Sequence, residues 1–315
     1  MTRNLFLTAL TITCLGLNAS AENFLSPDRT YLYAKRDTCD LFLDIYYPTD
    51  ESTTRFEGME KPTIIFMFGG GFIKGERDHE SYNKWFRQLT SNGYKVVSID
   101  YRLGLKGTNK VGIAQAKLLD KAIHMAVEDL FSATNFMIDN AEELRIDPNN
   151  MVISGSSAGA ISVMQAEYEI ANNTSWAQVL PKGFNYAGVM SFAGAIFSHE
   201  GKVNFKNSPC PTLMLHGTAD TLVPYKQVTF FRLGFFGGGK LVERFKKYDL
   251  NYNMYHFIDY GHEIAGSMDT TLDLQIRFLE TNVMQGKKRV VESWISDPDV
   301  YKGAGPQSRK ELYGN

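Results

Sequence analysis

Short, continuously apolar segments that alternate with helical stretches are the feature of this chain that most constrains its fold. Such segments are typical of strands buried on both faces, and their separation by helices favours a parallel sheet between two helical layers. The first segment, 41–47, alternates in part and precedes Pro48, which favours an antiparallel strand. The predicted strands cover 41–47, 63–68, 96–99, 151–154, 188–192, 212–216 and 254–257. The pattern therefore predicts an α/β chain with a mostly parallel, doubly wound sheet in a single domain.

The longest predicted helix covers 114–141, because apolar residues recur there at helical spacing. His124 falls outside the main apolar stripe of this helix, so we expect it on the solvent face. Shorter helices are predicted at 158–171 and 272–281. The glycine run 237–239 follows no predicted strand and is expected to form a flexible loop.

The charge balance argues against two classes of partner. The chain has 33 Lys and Arg and 35 Asp and Glu, with a formal net charge of −2. Without a basic field, neither nucleic acid nor anionic lipid is an expected partner. The sequence contains no CxxC and no HExxH motif, so no metal site is expected. Cys39 and Cys210 are interpreted as two small buried residues, with a disulfide between them as the alternative.

The first 21 residues have the pattern of an export signal. Arg3 provides a positive charge, 5–17 is apolar, and Ala19-Ser20-Ala21 resembles a cleavage site. The apolar stretch is shorter than the roughly 18–20 residues that span a bilayer. An uncleaved N-terminal anchor is the alternative. The sequence thus predicts a secreted or periplasmic protein, with no stable membrane insertion of the mature chain.

The segment Gly155-Ser156-Ser157-Ala158-Gly159 fits the G-x-S-x-G pattern of a nucleophilic serine. A serine held on a sharp strand-to-helix turn has a strained backbone, and the residues two positions away must be small for the turn to close. Ser157 has Gly at both of those positions, whereas Ser156 does not. A predicted strand precedes the segment and a predicted helix follows it. Ser157 is therefore the predicted nucleophile; a helix start built from small residues is the alternative.

A second glycine run, Phe68-Gly69-Gly70-Gly71-Phe72, directly follows the predicted strand 63–68. Acyl transfer places negative charge on a carbonyl oxygen, and glycines allow backbone N–H groups to approach that oxygen closely. The run has the position from which such donors come in α/β-hydrolases. A tight loop without this role is the alternative.

The base and the acid are predicted from their positions after strands. His262 lies in a turn just beyond the predicted strand 254–257, where a base on a loop can reach the serine. Asp220 follows another predicted strand, and a carboxylate there can orient the imidazole. The order Ser157, Asp220, His262 is the α/β-hydrolase order, and it places the three residues at the carboxyl ends of three strands. Asp259 is interpreted as a turn residue rather than as the acid.

Together these motifs resemble those of α/β-hydrolase carboxylesterases with an HGGG-type oxyanion loop, the hormone-sensitive-lipase-like and acetyl- or feruloyl-esterase-like enzymes. The resemblance covers about 41–279. It includes Leu43-Asp44-Ile45-Tyr46-Tyr47-Pro48, Asp100-Tyr101-Arg102-Leu103, Ile146-Asp147-Pro148 and Asp129. It implies that the amides of Gly70, Gly71 and Ala158 bind the oxyanion and that Arg102 and Asp129 form a structural pair. Two features depart from it: Phe68 stands where HGGG has His, and 229–237 is unusually aromatic for the helix expected after the acid.

The resemblance implies an α/β-hydrolase fold and hydrolysis of small carboxylic esters through an acyl-enzyme, without a cofactor. The expected substrates are short acyl or aryl esters, including those of carbohydrates, and aromatic side chains beside the site can stack on sugar or phenolic rings. The candidates for stacking are Phe230, Phe231, Phe235, Phe236 and Trp85. A serine peptidase on the same fold and a catalytically inactive binding module are the alternatives, because a fold alone does not establish activity.

The predicted organisation of the chain has three parts. They are a signal peptide at 1–21, an α/β-hydrolase catalytic domain at 22–285, and a C-terminal extension at 286–315 that is packed on the domain or partly loose. Trp294 and Tyr301 are expected to pack the first half of this extension on the body of the protein.

Overall fold

A central mixed sheet organises the computed structural model, which describes residues 25–107 and 116–296. The strands are β1 Arg29–Arg36, β2 Cys39–Tyr46, β3 Arg55–Phe56, β4 Met59–Glu60, β5 Thr63–Met67, β6 Lys95–Ile99, β7 Met151–Ser156, β8 Gly188–Phe192, β9 Ala195–Ser198, β10 Thr212–Gly217, β11 Gln227–Phe230, β12 Leu233–Gly237, β13 Tyr252–Phe257 and β14 Val291–Ile295. Within the described residues, nine of them form the main sheet in the order β1-β2-β6-β5-β7-β8-β10-β13-β14. Every pairing from β6 to β14 is parallel, while β2 is antiparallel to both of its neighbours.

Helices cover both faces of this sheet, and short helical turns connect several of the elements. The α-helices are α1 Asn83–Ser91, α2 Ala116–Asp139, α3 Ala141–Leu144, α4 Ala158–Ala171, α5 Gly238–Lys247 and α6 Leu272–Phe278. Turns of 3-10 helix lie at Glu51–Thr53, Glu80–Tyr82, Ala177–Val179 and His262–Gly266, and a π-helical segment covers Leu279–Met284. Strands β5, β7, β8, β10 and β13 are buried at every position, which explains their continuously apolar sequences. The predicted mostly parallel sheet is confirmed.

A second sheet lies where a helix was expected after the acid. Strand β12 pairs with β11 and with β9, and both pairings are antiparallel. Aromatic residues at 230, 231, 235 and 236 suit a pleated surface better than a helix, and tertiary pairing with β9 decides the outcome. The glycine run 237–239 is not a flexible loop, because it joins β12 to α5 and a Cβ at Gly237 would lie 1.9 Å from the carbonyl oxygen of Pro224.

Strand β14 extends the main sheet beyond β13, which corresponds to the last strand predicted from the sequence. It pairs in parallel with β13, so part of the predicted C-terminal extension belongs to the sheet. The Trp294 indole stacks on the His256 ring with centroids 4.0 Å apart, yet 57% of the residue remains exposed. The predicted signal peptide at 1–21, the first residues of the predicted helix 114–141, and Tyr301 lie outside the described residues.

His124 is half-buried, contrary to the expected solvent-face position. We define the His124 cluster as His124, Asp120, Glu169 and Trp176. The imidazole Nδ1 lies 3.1 Å from an Asp120 carboxylate oxygen, Nε2 lies 3.6 Å from Glu169, and the ring stacks on Trp176 with centroids 4.5 Å apart. Glu169 belongs to α4, which packs on α2, and the periodicity of a single helix does not reveal such a neighbour. Although burial opposes protonation, hydrogen bonds and charges from Asp120 and Glu169 raise the pKa of His124 to about 10.

The two cysteines of the described chain are both free thiols. Cys210 is buried, as expected, but Cys39 is exposed at the start of β2. Among the described residues, no helix is both long enough and apolar enough to span a membrane.

Candidate active site

Ser157 stands on the sharp turn between β7 and α4. Its backbone has φ 51° and ψ −113°, a conformation that costs energy for a residue with a side chain and is typical of a nucleophile elbow. The turn closes tightly, because a Cβ at Gly159 would lie 2.0 Å from the carbonyl oxygen of Met67. A Cβ at Gly155 would likewise lie 2.3 Å from the backbone of Gly159. The two glycines of the motif are therefore required by close backbone approach.

His262 reaches the serine from the 3-10 turn that follows β13. Its Nε2 lies 2.7 Å from the Ser157 hydroxyl oxygen, and both residues are buried. The loop that carries His262 is tied to the loop after β10, since the Ala219 amide donates to the carbonyl of Tyr260 at 2.9 Å. This arrangement brings the ends of β7, β10 and β13 together, as expected for the carboxyl edge of a parallel sheet.

Asp220 lies on the other side of the His262 ring. One of its carboxylate oxygens, Oδ2, is 2.8 Å from His262 Nδ1. The other, Oδ1, accepts hydrogen bonds from the amides of Leu222 at 2.9 Å and Val223 at 3.0 Å. Burial alone would raise the pKa of Asp220, but hydrogen bonds from His216 and His262 outweigh it and hold that pKa well below its usual range. The carboxylate is therefore ionised at neutral pH.

The neighbouring serine has a different partner. The hydroxyl of Ser156 donates to the carbonyl of Ala265 at 2.7 Å, within the same 3-10 turn that begins at His262. Ser156 thus fastens the elbow to the segment that carries the imidazole. The sequence pattern ranked Ser157 above Ser156 but did not indicate this contact.

The glycine loop after β5 runs beside the elbow. A Cβ at Gly69 would lie 3.4 Å from the Cβ of Ser157, so the loop contacts the nucleophile. Gly70 has φ 121° and Gly71 has φ 66°, and a Cβ at Gly70 would lie 1.9 Å from the carbonyl oxygen of Lys74. Ala158 is the first residue of α4, where backbone N–H groups have no partner within the helix. The glycine loop, through Gly69, and the first residue of α4 therefore both lie next to Ser157.

Two tyrosines support this loop at the position where the HGGG pattern has histidine. The ring of Phe68 is buried and stacks on Tyr101 with centroids 4.4 Å apart. The Tyr101 hydroxyl donates to the carbonyl of Phe68 at 2.8 Å, and the Gly69 amide donates to the Tyr82 hydroxyl at 3.2 Å. Tyr101 belongs to a segment of the family resemblance, but Tyr82 carried no sequence signal.

The remaining candidates have other positions. Asp259 has φ 62° and its amide donates to the Thr218 hydroxyl at 2.9 Å, which fits the interpretation as a turn residue. Arg102 and Asp129 form the pair that the resemblance implies, with Nε 2.9 Å from Oδ2. His216 was not predicted to take part, yet its Nε2 lies 3.3 Å from Asp220 Oδ2.

The aromatic residues proposed for ring stacking divide into two groups. Trp85 and Phe236 are buried in the core, and the Trp85 indole donates to Gln275 at 2.8 Å. Phe235 is half-buried, while Phe230 and Phe231 are exposed at the tip of the β11–β12 hairpin, where Phe231 is 89% exposed. Within the described ranges, no group of three or more His, Cys, Asp or Glu residues is arranged to hold a metal ion.

Comparisons with known proteins agree with this architecture. The family model BD-FAE matches residues 43–196. A propionate-bound structure of Est2, a thermophilic esterase from the planctomycete Thermogutta terrifontis, covers 80% of this chain and 93% of its own, with a TM-score of 0.57 and 21% identity. Its butyrate-bound structure has the same TM-score and coverage, with 22% identity. The likeness shows that the chain has the α/β-hydrolase fold, as predicted.

Curated relatives match over shorter regions. The non-reducing polyketide synthase ausA of Emericella nidulans is 35% identical over 135 residues, which are 42% of this chain and 5% of that protein. Gut esterase 1 of Caenorhabditis elegans is 32% identical over 104 residues, which are 33% of this chain and 18% of that protein. The chain thus matches only a small part of each relative. Its predicted resemblance to esterases of the α/β-hydrolase fold is confirmed.

Proposed function

We propose that this chain is a serine carboxylic-ester hydrolase that acts through an acyl-enzyme. The observation that carries the proposal is the continuous contact from the Ser157 hydroxyl through His262 to the Asp220 carboxylate, with distances of 2.7 and 2.8 Å. A hydroxyl that hydrogen-bonds to an imidazole, oriented in turn by a carboxylate, is the arrangement that makes serine nucleophilic. The similarity to esterases supports the same reaction class.

In the proposed acylation step, His262 Nε2 accepts the hydroxyl proton while Ser157 Oγ attacks the ester carbonyl. The carbonyl π electrons move to the oxygen, which the amides of Gly70, Gly71 and Ala158 bind. Asp220 stabilises the imidazolium and keeps its Nδ1–H directed away from the serine. The intermediate then breaks the bond to the alcohol oxygen, and that oxygen takes the proton from His262.

Deacylation repeats these steps with water. His262 removes a proton from water, the resulting hydroxide attacks the acyl-enzyme, and Ser157 leaves with the proton that His262 returns. The carboxylic acid is then released. Each proton that the imidazole takes is given back within the same half-reaction, so no cofactor is required.

We propose short acyl or aryl esters as substrates, including esters of carbohydrates. The acids bound in the Est2 structures, propionate and butyrate, are the products expected from short acyl esters. Of the aromatic residues suggested for stacking, Phe230 and Phe231 are exposed at the tip of the β11–β12 hairpin, whereas Trp85 and Phe236 belong to the core.

The test is a panel of esters together with a serine-reactive phosphonate. Catalytic efficiency on acetyl and butyryl nitrophenyl esters and on acetylated or feruloylated sugars should exceed that on long-chain triglycerides by at least roughly tenfold. Mass spectrometry should find the phosphonate on Ser157. Ser156→Ala is the matched control and should retain labelling, whereas Ser157→Ala should lose it. A preference for peptides would favour a peptidase. The absence of both turnover and labelling would indicate an inactive binding module.

A further inference from the structure

Asp220 has a second imidazole neighbour besides His262. His216 lies near the end of β10 and is buried. Its Nε2 is 3.3 Å from Asp220 Oδ2, the same oxygen that His262 contacts, and 3.0 Å from the carbonyl oxygen of Val223. Asp220 is therefore surrounded by two backbone amides and two imidazoles.

The other nitrogen of His216 fixes its tautomer. The Gly238 amide, in the first turn of α5, donates to His216 Nδ1 at 3.2 Å. A nitrogen that accepts a hydrogen bond carries no proton, so the ring proton must lie on Nε2. Gly238 also permits the close approach, because a Cβ at that position would lie 3.1 Å from Nδ1. The ring therefore directs its N–H toward the Asp220 carboxylate and Val223.

We propose that His216 is a positioning residue for Asp220: its Nε2–H, locked in place by the Gly238 amide, restricts the carboxylate to the orientation that receives His262. The inference rests on the proposed function for its catalytic consequence but not for its geometry. A carboxylate that accepts only two amide bonds at Oδ1 can still swing Oδ2, whereas a donor on each side of Oδ2 fixes it. The lowered pKa of Asp220 fits a carboxylate with these donors.

The first measurement uses the unmodified protein and does not depend on activity. Labelling with ¹⁵N-histidine at pH 7 should show His216 as the neutral Nε2–H tautomer. The proton between His262 and Asp220 should give a low-field ¹H signal, assigned by its loss in Asp220→Asn. A His216 ring with its proton on Nδ1, or with protons on both nitrogens, would overturn the proposal.

The second measurement compares two buried histidines on neighbouring strands. His216 and His256 are opposite each other in the β10–β13 pairing, but His256 bonds to the Tyr225 hydroxyl at 2.7 Å. His216→Phe should speed solvent exchange of the low-field proton and lower kcat by about 10- to 100-fold, as expected for loss of a hydrogen bond to a charged group. KM should stay within about threefold. His256→Phe should change neither quantity by more than about threefold.

His216→Gln is the rescue variant, since its amide nitrogen can replace Nε2–H. It should recover kcat to within about fivefold of the unmodified protein. Equal effects of His216→Phe and His256→Phe on exchange and kcat would contradict the positioning role. If the unmodified protein hydrolyses no ester but His216→Phe alone speeds the exchange, the proposed function fails and the positioning inference stands. Should His216→Phe not fold, the tautomer and the Gln variant decide the question.

Discussion

His262 and His124 are both held by carboxylates, but their second ring nitrogens face different groups. His262 Nδ1 contacts Asp220 and its Nε2 faces the Ser157 hydroxyl. His124 Nδ1 contacts Asp120, its Nε2 faces a second carboxylate, Glu169, and one face of its ring is covered by Trp176. A ring between two carboxylates is stabilised as the imidazolium, whereas a ring between a carboxylate and a hydroxyl can exchange a proton with the hydroxyl.

The difference shows that a histidine–carboxylate contact does not by itself identify a catalytic residue. What matters is the group on the far nitrogen and whether the ring can return to the neutral form. At His124, hydrogen bonds and charges from Asp120 and Glu169 keep the proton bound up to about pH 10 despite burial. We therefore expect substitutions at His262 to lower catalytic activity and substitutions at His124 to lower stability.

The largest expected effect is on activity, and it distinguishes His262 from His124. Ser157→Ala or His262→Ala should lower kcat/KM by at least about 10³-fold, because the serine and its base act as a unit. His124→Gln should leave kcat/KM within about threefold, since its contacts are structural. Steady-state kinetics on one nitrophenyl ester measures all three variants. A comparable loss of kcat/KM in His124→Gln, with the fold intact by circular dichroism, would contradict the distinction between the two histidines.

The second effect tests the carboxylate. Asp220→Asn should lower kcat by about 10²- to 10⁴-fold, because an amide nitrogen facing Nδ1 favours the wrong tautomer of His262. Asp259→Asn is the matched control and should cost less than about threefold, because Asp259 serves the turn. A greater loss in Asp259→Asn than in Asp220→Asn would show that the acid is misassigned.

The third effect concerns stability at the His124 cluster. His124→Gln should lower the free energy of unfolding at pH 6 by about 1–3 kcal/mol, since it leaves two carboxylates without the cation between them. The pKa of His124 is raised in the folded state, so its stabilisation is complete below the unfolded value of 6.5 and is lost as pH rises toward about 10. Urea unfolding should show that the free energies of unfolding of His124→Gln and of the unmodified protein converge as the pH rises from 6 to 10. Parallel curves would mean that His124 is not held as the imidazolium.

The smallest effect concerns a carboxylate on α4, near Glu169, that contacts an amide rather than a histidine. Glu167 is buried, and the Cys210 amide donates to it at 2.8 Å. Burial raises the pKa of Glu167 to about 7, although the hydrogen bonds that the carboxylate accepts oppose the shift. Its ionisation therefore lowers stability as pH rises from about 4.5 to about 7. Glu167→Gln should increase the free energy of unfolding at pH 8 by about 1–2 kcal/mol and leave it unchanged at pH 4. Thermal unfolding at the two pH values would show whether the gain is confined to the higher pH.

The parts of the structure that follow from local pattern were predictable. Buried parallel strands have continuously apolar sequences, and the segment around Ser157 requires glycines at fixed spacing, so both are visible in a single sequence. The approach of Asp220 and His262 to Ser157 followed from their chain order and from the position of each after a strand. These features depend on periodicity and short-range sterics, which a sequence records directly.

Other parts depend on partners that are distant in the chain. The aromatic segment 229–237 pairs with β9, and β14 finds its place only beside β13. His124 is half-buried because Glu169 and Trp176 approach it from other elements. His216 precedes Asp220 by only four residues, and no local pattern shows that the turn between them returns Asp220 to the His216 Nε2. Contacts of this kind are created by packing and leave no periodic signal.

The pairing of β14 with β13 also has a consequence for biosynthesis. A chain emerges from the ribosome beginning at its N-terminus, so the outer edge of β13 stays unpaired until Val291–Ile295 has been translated. His262 lies on the loop that directly follows β13, and its geometry depends on that strand being in place. The loop that carries His262 therefore follows a strand whose outer edge is covered only after β14 has been translated. Exposed strand edges invite aggregation, so the edge of β13 is open to pairing with other chains during this interval of translation.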